Sequence, residues 1–224
     1  MVSENAKNYP IYYVTYCKGD KIPSEVPISM EFAKKQGFHV MKSEPDRYKV
    51  PNEVKPYHAG FKHMKELTMP RIEKEMKRNK NFKGFFIAEG DLCLDKDYTF
   101  QKFIEENHTN PVWLGYKKKL SNYIVGNFFL YFPKSSVPML SKLFKEKEML
   151  VYSDRFFTNL VDKGFLKLHN KSVATEIEHY SNVAGDLRKE SKCHISPEKL
   201  KNKSKKNLSK HRLCRKTSKR SKQQ

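Results

Sequence analysis

Long apolar runs are missing from this chain. No stretch of about 18 apolar residues occurs, so no segment reads as a membrane-spanning helix. The polar opening "MVSENAKNYP" also lacks the apolar core of a secretory leader. Cysteine is sparse: Cys17, Cys93, Cys193 and Cys214 lie far apart, with no CxxC pair. That spacing suggests neither a zinc site nor a disulfide framework, and it suits a reducing compartment. There is no internal repeat. After residue 187 large apolar side chains almost disappear, and a segment without them cannot offset the entropy of ordering its backbone.

What remains is basic and aromatic. From Arg188 to Gln224 the chain holds 15 Lys and Arg against 2 Glu, which is +13 of its formal +20. Residues 188–224 are therefore expected to be a disordered basic tail, with residues 1–187 forming one domain. The 38% hydrophobic and 12% aromatic content is too apolar for a disordered chain, despite the mean hydropathy of −0.80. At 224 residues there is enough chain for one real core.

The tail has three physical readings beside that of a plain solubilising extension. It would make weak phosphate contacts with nucleic acid, lie on an anionic membrane face, or serve through "KHRLCRKTSKRSK" as a nuclear address. It has no interleaved aromatics, which argues against specific single-strand recognition.

The first 187 residues alternate strand and helix signals. "YPIYYVTYC" reads as a strand, "SEVPISMEFAKKQG" as a helix stopped by Gly37, and "FHVMKS" as a second strand. Phe61, Met64, Leu67, Ile72 and Met76 recur at helical spacing, with Pro70 expected to kink or restart that helix. "FKGFFIAEGD" is continuously apolar before it turns acidic, the pattern of a strand buried on both faces. A short helix "YTFQKFIEENH", strands "PVWLGYK" and "YIVGNFFLYF", two helices, and a last short strand "FLKLHN" complete the order. The expected fold is α/β, a mixed, mainly parallel sheet flanked by helices.

The acidic end of "FFIAEGD" stands out against its apolar start. In open α/β sheets ligands bind at the carboxyl ends of the strands, and there Glu89 and Asp91 flank Gly90. Two carboxylates a few ångströms apart repel by roughly 1 to 4 kcal/mol. A divalent cation removes that penalty, and Mg²⁺ or Mn²⁺ takes carboxylate oxygens while substrate phosphates complete its shell. The plainer reading is a solvated turn, with Asp91 capping the next segment of chain.

Several segments in order resemble one family. "EGD" after a buried strand resembles the acidic DxD-type motif of GT-A glycosyltransferases, in particular glycosyltransferase family 25, the lipooligosaccharide and procollagen galactosyltransferases. The family usually has E-D-D, so Gly90 departs at the centre. "YHAGFKHMKEL" is similar to its G-x-x-x-S-H helix through Gly60 and His63, with Lys62 where Ser is usual. "VGNFFLYFPKSSVPMLSKLF" resembles its strand-to-helix segment, and "VYSDRFFTNL" its P-[VI]-D-x-x-[LF] element through Asp154. "LHNKSVATEIEHYSNV" resembles its closing segment, with Glu176 for Gln and Ser181 as the final Ser.

The resemblance spans roughly residues 9 to 185 and implies a GT-A-like fold. The implied activity is metal-dependent transfer of a sugar from a nucleotide-diphosphate donor, expected to be a UDP-sugar, to a hydroxyl on a protein, glycan or modified base. Glu89 and Asp91 would hold Mn²⁺ or Mg²⁺. Thr15 and Tyr16, in the loop after the first strand, together with Arg47 and His63, would meet the nucleotide. Each has a plainer role: core aromatic for Tyr16, solvated surface for Arg47, packing for His63. Asp154 would be the general base, and a helix-capping role competes with that assignment. Glu176, His179 and His169 are weaker candidates. The expected setting is the cytoplasm, for a bacterial or large-virus enzyme. A nucleic-acid-binding protein on an inactive transferase-like scaffold is the rival reading.

Overall fold

The computed structural model describes residues 4–14, 25–41, 56–90, 92–119, 124–126, 128–146 and 153–176. Thr15, Tyr16, Arg47, Asp91 and the basic segment 188–224 lie outside them.

The centre is β2 (Gly84–Glu89), whose burial is complete until its last residue. It pairs in parallel with β1 (Ile11–Val14), Ile11 opposite Phe86 and Val14 opposite Glu89. On its other side it pairs antiparallel with β7 (Phe129–Pro133), Phe85 opposite Phe132. Beyond β7 come β4 (Val112–Trp113) and β8 (Lys167–Leu168), giving the order β1-β2-β7-β4-β8. Four strands run one way and β7 runs against them. The sheet is thus mixed α/β, as its alternating strand and helix signals predict.

Period-two geometry explains the continuous apolar run in β2. Phe85 and Ile87 face one core, shared with Leu130, Phe132 and Trp113, and covered by the helices α2 (Pro56–His63), α3 (Met69–Arg78), α5 (Val137–Glu146) and α6 (Ser153–Asp162). Phe86 and Ala88 face the other, with Tyr13, Phe129 and Tyr131, covered by α1 (Glu25–Lys35) and α4 (Phe100–Glu105). Cross-strand aromatics fill both layers: Phe86 stacks on Phe129 at 5.2 Å and Phe85 on Phe132 at 5.4 Å between ring centroids. Such pairs contribute roughly 0.5–1.5 kcal/mol each beyond their burial.

Several local features differ from expectation. Gly37 stops α1 as expected, in the left-handed region at φ 85°. "FHVMKS", by contrast, contributes only one described bridge, Val40 beside Ile11. Pro70 marks a restart, one of the two outcomes expected: it sits in the first turn of α3, where its missing N–H is harmless, and a π-helical turn over Met64–Thr68 precedes it. The stretch read as one strand, "YIVGNFFLYF", splits. Its first part is β6 (Ile124–Gly126), a ribbon with β5 (Tyr116–Lys119), and only its second part, β7, enters the main sheet. A second ribbon joins β3 (Leu92–Leu94) to β9 (Ala174–Glu176).

Cys93 is buried in β3, and the other three cysteines lie outside the described residues.

Candidate functional site

The acidic end of β2 is built by four segments. Glu89 ends the strand beside Val14, the last residue of β1, so the loop after β1 starts next to it. Across the sheet the chain enters β7 at Phe128. Glu89 N donates to Phe128 O at 2.8 Å, and Phe128 N donates back to Glu89 Oε2 at 3.3 Å. The carboxylate is half-buried and partly occupied in closing the strand pair.

Gly90 is buried, and its carbonyl accepts from Ser29 Oγ of α1 at 3.1 Å. Ser29 is itself held, because its carbonyl accepts from Tyr13 OH at 3.2 Å. Burial drives the Tyr13 phenol far above its usual range, so it remains a donor. The backbone at Gly90 is therefore fixed from below by one helix and one strand.

The β3–β9 ribbon brings the fourth segment. Leu92 pairs with Glu176, so the Glu176 backbone lies beside the residue after Asp91 in sequence. Glu176 is thus carried beside the end of β2, whereas His169 follows β8, three strands away at the sheet's edge, where its N–H donates to Trp113 O at 3.1 Å. His179 lies outside the described residues.

Asp154 stands in the first turn of α6, which begins at Ser153. Asp154 is thus a first-turn acid, favourable to the helix dipole. One turn further on, Phe157 packs on Phe128 at 5.4 Å, and Thr158 Oγ1 accepts from Ile124 N at 2.9 Å. These contacts tie α6 to the chain that enters β7 beside Glu89. Asp154 is open to solvent on one side, and the protein crowding its other side raises its carboxyl pKa from the ordinary value by desolvation.

His63 is placed differently. It is 2% exposed, its Nδ1 shares a hydrogen bond of 3.2 Å with Thr68 Oγ1 across the π-helical turn, and burial, helped by the Arg71 cation, lowers its pKa to about 4. Its neutral ring serves the packing of the α2–α3 junction. Asp95 and Asp97 come after β3. Asp95 N donates to Val173 O, and its carbonyl accepts from Tyr98 N, both at 2.8 Å.

No family model matches the chain, and no curated protein matches it in sequence. Among solved structures a distant match is a chain described as a glycosyltransferase involved in the glycosylation of the major capsid of PBCV-1. It is 11% identical, with a TM-score of 0.47, over 72% of this chain and 81% of that one. Among the described residues no helix is long and apolar enough to cross a membrane.

Ser29 and Phe128 were invisible from sequence as parts of this end of the sheet. Ser29 lies 61 residues from Gly90, and nothing local in "PISMEF" marks a hydroxyl aimed at a distant carbonyl.

Proposed function

We propose that this chain is a metal-dependent glycosyltransferase of the GT-A kind, related to family 25, which moves a sugar from a nucleotide-diphosphate donor to a hydroxyl acceptor. The observation that carries the reading is the convergence at the carboxyl end of β2. A half-buried Glu89, an anchored Gly90, the end of β1 and the Glu176 backbone meet where open α/β sheets bind ligands.

The donor set fits a hard cation. Carboxylate oxygens are what Mg²⁺ and Mn²⁺ take, and these ions keep positions for phosphate oxygens. Asp91 would be the direct ligand. Glu89, already accepting from Phe128 N, would act through water or by fixing the turn. A bound Mn²⁺ or Mg²⁺ would supply Lewis-acid stabilisation of the leaving diphosphate.

The remaining chemistry belongs to the chain. Thr15 and Tyr16 would contact the base and ribose, since the loop holding them begins beside Glu89, and Arg47 would pair with the diphosphate as a charge-assisted donor. Asp154 would accept the acceptor's hydroxyl proton, and its raised pKa brings a carboxylate closer to the working range of a base. His63, buried in the helix junction, would act on the nucleotide side only by holding that junction in shape. The setting proposed is the cytoplasm.

Thermal unfolding with UDP or GDP, with and without Mn²⁺, tests the reading. Stabilisation that requires both nucleotide and metal supports it. No shift with either nucleotide, combined with salt-sensitive DNA binding lost on truncation at Asp186, would replace it with the nucleic-acid-binding reading.

A further inference from the structure

A second cluster of metal-ligating side chains lies away from the acidic end of β2, where α4 turns into β4 beside the end of β8. Glu106 closes α4, His108 stands two residues later, and His169 comes just after β8. One potential ligand atom from each lies within 4.8 Å of the others. Their side chains are only 17% (His108), 22% (Glu106) and 16% (His169) exposed, so these polar groups have been drawn largely out of water.

The backbone is arranged to bring them together. Asn107, between two of the three, takes φ 49°, the left-handed region that Asn tolerates better than most residues. The reversal ends α4 and presents its two neighbours to one side. Phe103 flanks His108 at 5.6 Å, Tyr98 flanks His169 at 6.4 Å, and the two imidazoles meet edge to face at 5.7 Å.

Hydrogen bonds then fix the rings. Lys171 O can only accept, so the 2.6 Å contact from His169 Nδ1 means that this nitrogen carries the proton. Its other nitrogen, Nε2, faces Glu106 Oε1, 3.5 Å away. Glu106 is oriented in turn: its Oε2 accepts from Tyr98 OH and from His108 Nε2, both at 2.8 Å. A buried hydroxyl on the carboxylate and a backbone carbonyl on the far nitrogen of a histidine are the outer contacts that metal ligands usually have.

We infer that Glu106, His108 and His169 form a binding site for a zinc-type divalent transition metal, with two imidazoles and one carboxylate as protein ligands and a fourth position left to water. Nitrogen donors select this class over Mg²⁺ or Ca²⁺. In a tetrahedral shell with bonds of about 2.0–2.1 Å, neighbouring ligand atoms stand about 3.3 Å apart. His169 Nε2 lies 3.5 Å from Glu106 Oε1 and His108 Nε2 2.8 Å from Glu106 Oε2, so a turn of the carboxylate would bring one oxygen to an ion held by both imidazoles. On binding, the proton on His108 Nε2 leaves or passes to Nδ1 through solvent. The ion would clamp the α4–β4 turn to the β8–β9 connection, two segments distant in sequence, and the site stands whether or not the transferase reading holds.

The test uses the full chain, stripped with chelator and titrated with Zn²⁺ or Co²⁺. One Zn²⁺ per chain is expected, with a Zn²⁺-dependent rise in Tm and, for Co²⁺, a visible spectrum of tetrahedral type without thiolate charge transfer. Tyr98→Phe keeps the ring in the core while removing the hydroxyl on Glu106, and should weaken Zn²⁺ binding about 10–100-fold. His108→Asn and His169→Asn should weaken it further. Absence of stoichiometric uptake would overturn the assignment. So would uptake unchanged in all three variants, or a cobalt spectrum with thiolate character.

Discussion

The two ends of β2, a strand of six residues, are chemically opposite. At Gly84 the strand is sealed: a Cβ there would stand 2.7 Å from Phe132 O and from the Tyr131 ring. The chain just before it is fixed by Lys83 N donating to Asn8 O at 2.9 Å, by Lys134 N donating to Lys83 O at 2.8 Å, and by the ion pair of Lys83 with Glu4. At Glu89 burial relaxes, a carboxylate replaces the aromatic rings, and the Phe128 backbone bonds Glu89 while Ser29 bonds the Gly90 carbonyl. One strand thus has an end that holds the fold and an end that is open to chemistry. Substitutions at the two ends should separate accordingly, in stability at one and in ligand binding at the other.

The largest expected effect is at the open end. Asp91→Asn should abolish Mn²⁺-dependent stabilisation by nucleotide while leaving the Tm of the free protein near wild type. Equal nucleotide shifts in both proteins would remove Asp91 from the site. On the packed side of the molecule, His63 should make the fold acid-sensitive. Its folded pKa of about 4 lies below the ordinary 6.5, so the unfolded chain binds the extra proton. The stability it contributes is complete above about pH 6.5 and is lost as pH falls toward 4, up to about 3 kcal/mol. Urea midpoints measured across that window should fall, and His63→Gln should flatten the slope. An identical slope in the variant would contradict the burial argument.

Asp154→Asn returns to chemistry: turnover should drop by about 10² or more with nucleotide binding intact. The acid limb of the rate profile should lie above the ordinary carboxylate pKa, because desolvation raises that of Asp154. A variant that unfolds yet keeps its specific activity would return Asp154 to a helix-stabilising role. The smallest effect is at the sealed end. Gly84→Ala should cost about 1–3 kcal/mol by overpacking, since the Phe132 carbonyl belongs to a paired strand and cannot yield as a side chain would. Its nucleotide shift should match wild type when both proteins are folded, and a parallel loss of binding would mean that the two ends are coupled.

The sealed end was largely legible in the sequence and the open end only in part. A continuous apolar run announces burial on both faces, and "FFIA" delivers it, with alternate side chains in the two cores. Gly37 as a helix stop and the short helix after Asp97 arise from local signals. The site depends on long-range pairing that no local pattern encodes. β9 is three residues of mixed character, "ATE", and becomes a strand because it finds β3 about eighty residues earlier. Ser29 and Phe128 reach Glu89 and Gly90 in the same way, through tertiary contacts alone. The break between β6 and β7 was hidden because "YIVGNFFLYF" is uniformly strand-like, and only Gly126 within it hints that the chain changes sheet.

Donor hydrolysis tests the central claim most directly, because a transferase site slowly passes its sugar to water when no acceptor is present. UDP- and GDP-sugars should be incubated with the full chain, with and without Mn²⁺, beside Asp91→Asn. The account predicts nucleotide release from at least one donor that requires Mn²⁺ and is lost in Asp91→Asn at unchanged Tm. Release that is independent of metal, release unaffected by Asp91→Asn, or none from any donor would contradict it.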